Sequence, residues 1–249
     1  RAACPRLAPT RDLRETTWTE VEPGALLVVP LGSLEQHGPH LPLAVDAVVA
    51  AAVAEGVSDR LATAGVRNLV APVVPYGSSG EHQDFPGTLS IGTEALTYLL
   101  VELARSATEW AGGVVFVTGH GGNADSLADA VTLLRAEGRS ACWTGCVSAG
   151  ADAHAGATET SVMLHLAPWS VRLCAATGGA TEPVTSLMPR LRSDGVRAVS
   201  PNGVLGDPTG ATATAGSEIL AEMVDRAFAQ VVTSLDLQIG VLEEGACDE

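Results

Sequence analysis

Four short apolar runs, each closing on a glycine within two residues, constrain this chain more than any other feature. Residues 26–30 (LLVVP), 68–75 (NLVAPVVP) and 114–117 (VVFV) suit buried strands, and residues 140–144 supply a fourth. Between them apolar residues recur every three to four positions: Val49, Val53, Val57 and Leu61, then Leu96, Leu99, Leu100, Leu103, Ala107 and Trp110, then Leu127, Val131 and Leu134. A final stripe holds Ile219, Leu220, Met223, Val224, Phe228, Val231, Val232 and Leu235. Such alternation predicts an α/β fold, a single-domain layered sandwich with a mostly parallel sheet flanked by helices. A chain of 249 residues suits one such domain. The expected division is a flexible tail over residues 1–16 and the domain over residues 17–249. Residues 176–199 show no clear period and receive no element.

Composition removes several function classes. The formal charge is −15, and all 14 basic residues are Arg, with no Lys. That charge repels nucleic acid and anionic membrane, so neither is an expected partner. Without Lys there is no Schiff-base chemistry and no phosphate-binding lysine of a P-loop. No run of 18 apolar residues and no secretion signal occur, which makes a soluble, cytoplasmic protein the expectation. Cysteines at 4, 142, 146, 174 and 247 are odd in number and lack paired spacing, so reduced thiols are expected. Cys142 and Cys146 read as small buried residues rather than half of a zinc site.

Polar residues gather where the apolar runs end. Glu35 and His37, two apart in an extended segment, can point the same way. Asp46 stands at the start of the next helical segment, where it can cap the helix and aim back at the strand end. Residues 76–88 form a Gly, Ser and Pro loop with His82, Asp84 and Phe85, long enough to wall a pocket. His120 follows the third run, Asn123 is placed to cap the next helix, and Asp152, His154 and Glu159 precede a short apolar helix over 162–166. Ligands of parallel sheets bind beyond the carboxyl ends of the strands, where all these residues can converge. Glu35, His37, Asp46, His120 and Glu159 supply two imidazoles and three carboxylates, a set suited to Zn, Mn or Fe. Three carboxylates suit two ions better than one, with Asp46 able to bridge. Taken singly, a histidine after a strand is often structural, and Glu35 or Asp46 alone can be a cap or a solvated charge.

The segments LGSLEQHGPHLPLAVD, GSSGEHQDFPGTLSIG, TGHGGN, HAGATETS and GVLGDPTGATA resemble, as an ordered set from about residue 26 to 237, the creatininase family. That resemblance implies an amidohydrolase with a dinuclear metal centre on an α/β fold, assembled as a homo-oligomer, often a hexamer. It implies that Glu35, Asp46 and His120 hold one ion, and that His37, Asp46 and a further carboxylate hold the other. Creatininase itself has Tyr and Glu directly after the strand-end histidine; here those places are Gly121 and Gly122. The missing carboxylate is therefore expected from Glu159, and the missing aromatic wall argues against creatinine as substrate.

The branch of the family with GHGGN and HAGxxETS includes a peptidase that trims a modified, ribosomally made precursor peptide near its C-terminus, and formamide hydrolases. The expected function is the peptidase, releasing a modified C-terminal dipeptide, with a formamide or cyclic-amide hydrolase as the alternative. A metal-dependent binding protein is the non-enzyme alternative. The partner is accordingly a modified precursor peptide or a small amide. Two cations would acidify a water and polarise the scissile carbonyl. His154 is the expected proton shuttle, His82 and Phe85 the expected substrate contacts, and the N–H groups of Gly121 and Gly122 an optional oxyanion site. His40 is expected to orient a ligand, and His165 to be structural.

Overall fold

The computed structural model describes residues 10–237. Four parallel strands stand in the order β2, β1, β3, β4: β1 Leu26–Leu31, β2 Asn68–Val70, β3 Gly113–Thr118 and β4 Ala141–Gly145. The central pair runs in register from Leu26 opposite Gly113 to Leu31 opposite Thr118. Both faces of the sheet are covered, so the inner strands are apolar throughout rather than alternating. Leu26 and Val28 of β1 pack with helices α1 (Val45–Thr63), α4 (Ala157–Leu166) and α6 (Ala213–Ser234). Leu27, Val29 and Leu31 face the opposite layer, α2 (Thr93–Ala107) and α3 (Ala124–Ala136). The chain steps outward from β1 to β2, then back across β1 to β3 and on to β4. With right-handed crossovers this reversal puts α1 on one face and α2 and α3 on the other. It also opens a crevice between the carboxyl ends of β1 and β3.

Several local expectations are corrected. The strand expected over 68–75 ends at Val70, and Val74 returns only as an isolated bridge to Leu31. Ala71 N–H bonds the Val28 carbonyl, but the Pro30 carbonyl is met by Val74 rather than Val73. Pro72, which lacks an N–H, lies where the ladder slips by one residue. Residues 176–199, expected to hold no element, contain α5 (Val184–Val199). Pro189 within it and Gly195 at φ 77° break the helical period. Its Leu187, Leu191 and Val196 form a third small cluster with Leu205. Of the expected tail, residues 11–13 are docked: Val70 N–H bonds the Arg11 carbonyl, Asp12 bridges Val70, and Leu13 packs on the core. The remainder of that tail up to residue 9, with Cys4, and Cys247 lie outside the described residues. Among the described residues, Cys142, Cys146 and Cys174 are free, and Cys142 is buried in β4 as expected. No helix among the described residues is long and apolar enough to cross a membrane.

Two glycines set the height of α1 over the crevice. A Cβ on Gly32, just past β1, would lie 2.5 Å from the Ala47 Cα, and one on Gly119, just past β3, would strike the Asp46 carbonyl. The first turn of α1 therefore rests directly on the ends of the two central strands. Gly32→Ala and Gly119→Ala are each expected to cost about 1–3 kcal/mol, the range for overpacking a closed site, as measured by urea denaturation.

Candidate metal centre

Glu35 and His37 lie just past the end of β1, and both are fully buried. His120 follows β3, and Asp46 comes down from α1. Asp46 is not the helix cap: Ala44 holds that place, and the Asp46 carboxylate turns inward from the first turn. Its Oδ1 lies 3.2 Å from His37 Nε2, and its Oδ2 lies 3.7 Å from His120 Nδ1. Glu35 Oε1 lies 3.2 Å from His120 Nδ1. Glu159 sits in the first turn of α4, its Oε2 3.8 Å from His37 Nε2. All five expected donors thus meet, although they come from four separate segments.

Main-chain carbonyls fix which ring nitrogens face inward. The Glu35 carbonyl lies 3.1 Å from His37 Nδ1, and the Ser78 carbonyl lies 3.0 Å from His120 Nε2. A carbonyl only accepts, so those nitrogens carry protons and leave His37 Nε2 and His120 Nδ1 turned toward the carboxylates. The Ala155 N–H donates to Glu159 Oε2 at 2.6 Å, from a residue at φ 52°. Asp152 is not in the cluster. It caps α4 instead, accepting from the N–H groups of Ala157 and Thr158.

The electrostatics are those of an acidic cluster that draws protons onto its imidazoles. Burial opposes charge on Glu35, yet the imidazoles around it, His120 foremost, hold its carboxyl well below the usual carboxylate range. Burial and the nearby Glu35 push Asp46 up to about 6. Burial would lower His37, but Asp46 reverses this and raises it to about 10. His120 is likewise raised well above the usual imidazole range against its burial, by Glu35 first. Both Glu35 carboxylate oxygens and Asp46 Oδ2 are buried without a hydrogen-bond partner. Leaving such atoms unpaired is costly, and a cation removes that cost. Donor atoms of Glu35, Asp46 and His120 lie within 4.8 Å of one another, as do those of His37, His154 and Glu159, and of Glu35, His82 and His154.

The other expected residues take varied places. His154 is buried, its ring centroid 4.3 Å from that of His37, and burial and His37 lower its pKa. His82, expected on a pocket wall, is buried within the cluster, Nε2 3.2 Å from Glu35 Oε1, and burial pushes it down to about 2. Phe85, expected as a substrate contact, packs with the α5 cluster, and the Arg197 guanidinium lies 4.7 Å above its ring. Gly121 is open, whereas a Cβ on Gly122 would meet the His120 ring, the Ser78 carbonyl and Glu81. His40 bonds Thr160 at 2.9 Å and so ties the β1 loop to α4, while His165 is exposed. Asn123 makes no helix cap: its Oδ1 accepts from Ser78 N–H, and its Nδ2 donates to the Gly32 carbonyl and Thr118. Sequence reasoning missed Glu81, whose Oε1 is 3.4 Å from His120 Nε2, and Gln36, which reaches His82 and Gly203. Their signals were thin: a second acid beside His82, and a polar side chain on the far face of the Glu35 strand.

A doubly covered parallel sheet with buried carboxylates and imidazoles at its switch point defines an α/β protein able to hold divalent cations. The chain belongs to the creatininase family, whose model, described as creatinine amidohydrolase, matches residues 14–231. It is 57% identical over 201 residues to the mycofactocin precursor peptide peptidase of Mycolicibacterium smegmatis, covering 80% of this chain and 81% of that protein. The protein of the same name from Mycobacterium tuberculosis is 54% identical over 221 residues, with 87% and 88% covered. A solved structure titled "Creatininase Mn" superposes with a TM-score of 0.77 at 26% identity, over 92% of this chain and all of that one.

Imidazoles must be neutral at the nitrogen that binds a cation, and His37 and His120 are raised so far that both carry an extra proton near neutral pH. Loading metal-free protein with Zn at pH 7 is therefore expected to release about two protons per chain. Apparent affinity should rise as pH increases through the neutral range toward about 10, where His37 loses its own proton. Calorimetry in buffers of different ionisation enthalpy measures that release.

Proposed function

We propose that this chain is a metal-dependent peptidase that hydrolyses a C–N bond of the mycofactocin precursor peptide and releases its modified C-terminal dipeptide. The observation that carries the reading is the buried cluster, with its unpaired carboxylate oxygens, in a chain 57% identical to a peptidase of that name. In this reading Glu35, Asp46 and His120 would hold one divalent ion, and His37, Asp46 and Glu159 would hold the other. Zn, Mn and Fe all suit that donor set. Two such ions, when bound, supply Lewis acidity toward a carbonyl and lower the pKa of water.

The chain's own groups supply the rest. His154, buried beside His37, takes the proton that the attacking water loses and hands it to the leaving nitrogen as the C–N bond breaks. The absence of any neighbour within 4 Å of a Cβ on Gly121 leaves room for a peptide where the family's creatinine hydrolases carry a side chain. Gly122 keeps the His120 ring close to Ser78 and Glu81, since a Cβ there would collide with all three. The cytoplasmic location and the homo-oligomer belong to the same proposal. Trp18, Trp169 and Tyr98, exposed at 87%, 84% and 70%, support burial of apolar surface in an assembly.

Mass spectrometry of the modified precursor peptide incubated with metal-loaded protein is expected to show loss of the C-terminal dipeptide. Turnover of N-formyl substrates with the peptide left intact would sink the proposal. Glu35→Ala and Asp46→Ala should each lose at least one metal equivalent and most activity, and retention of both equivalents would refute the ligand assignment. His154→Ala should keep both ions while kcat falls by about 10²–10⁴.

A further inference from the structure

Gln36 stands between two donors of the centre, and its amide cannot turn over. Oε1 accepts the Gly38 N–H at 2.9 Å, and Nε2 donates to the Gly203 carbonyl at 3.0 Å. The second hydrogen on Nε2 faces His82 Nδ1 at 2.9 Å. A ring nitrogen that accepts a hydrogen bond carries no proton, so neutral His82 keeps its proton on Nε2. That side of the ring lies 3.2 Å from Glu35 Oε1.

The main-chain carbonyl of the same residue lies 2.7 Å from His154 Nε2. That nitrogen therefore carries the His154 proton, and the lone pair on Nδ1 is turned toward the cluster, 3.8 Å from Glu35 Oε1. The 3.0 Å approach of Gln36 Nε2 to His154 Nε2 is then a contact between donors, because both amide hydrogens are already committed. Gly203, at φ 82°, keeps the space open, since a Cβ there would strike the Gln36 amide.

We propose that Gln36 is a positioning residue that sets one tautomer on two histidines, turning the His82 proton and the His154 lone pair toward the metal centre. Glu35, His82 and His154 lie close enough to hold a cation together, but His82 presents the positive edge of its ring to Glu35 Oε1, without a closed hydrogen bond, instead of ligating. His154 Nδ1 becomes the atom that takes and returns the proton. Only this last role rests on the peptidase reading; the tautomers stand on the hydrogen-bond network alone.

Histidine-selective 15N NMR of the full chain, loaded with Zn and metal-free, reads the tautomers directly, with His82→Asn and His154→Asn assigning the signals. Protonated Nε2 on both rings in the metal-free sample is expected, with His82 unchanged on loading; Nδ1 protonated on either overturns the proposal. Gln36→Met keeps the length but removes the amide, so His82 should lose its single tautomer while His154, held by the main chain, keeps its own. An unaltered His82 signature in that variant also overturns the proposal. Its kcat on the precursor peptide should fall about 10- to 100-fold with KM little changed, the range for removing a partner that orients a metal site. Expected tautomers without peptide cleavage would refute the peptidase reading and uphold the role of Gln36. Cleavage with His154 protonated on Nδ1 would do the reverse.

Discussion

Everything in this protein leads to two buried carboxylates whose oxygens the chain leaves short of hydrogen-bond partners. Glu35 and Asp46 sit beneath the surface with oxygen atoms that no donor reaches in hydrogen-bond geometry. Such atoms are rare in folded chains, and a cation that completes them accounts for their presence here. The surroundings fit that purpose: carbonyls orient His37 and His120, two glycines let α1 descend, and the reversal of strand order opens the space between β1 and β3. Positive ends of helices add to the balance. The N-termini of α1, α3 and α4 all begin beside residues of the cluster, which favours negative side chains there.

Much of this was legible because strand ends are conspicuous. An apolar run that stops at a glycine and meets Glu35 and His37 two residues apart declares both a strand and a face. His120 and Glu159 could be added because a parallel sheet gathers its ligands at one edge. What could not be read depended on contacts between distant segments. Asp46 reads both as a cap and as a carboxylate aimed at the strand end; the second reading stands, while the cap position falls to Ala44. Asn123 has the residue type of a cap, yet it joins the 76–88 loop to both central strands. The helix α5 hid behind Pro189 and Gly195, which destroy the period by which helices are recognised. His82 and Gln36 acquire meaning only through each other and through Gly203.

The division between frame and site has a chemical logic. The apolar clusters on the two faces of the sheet draw mainly on residues of the strands and helices, while nearly every polar group of the centre lies in a turn or the first turn of a helix. Gly121 and Gly122 illustrate the difference in tolerance. The first has open space above it, and the second is hemmed in by His120, Ser78 and Glu81. Adjacent glycines therefore separate an open position from one that protects the geometry of the donors.

Because the donors come from the end of β1, the start of α1, the end of β3 and the start of α4, a cation among them joins parts of the chain that lie far apart in sequence. The described cysteines are all free, so no disulfide does this work. An ion held there acts as a staple, closing long loops at one edge of the sheet and leaving the apolar layers to hold the other. Starved of metal, such a molecule would keep its packed layers of helices and strands but come undone from the active rim inward.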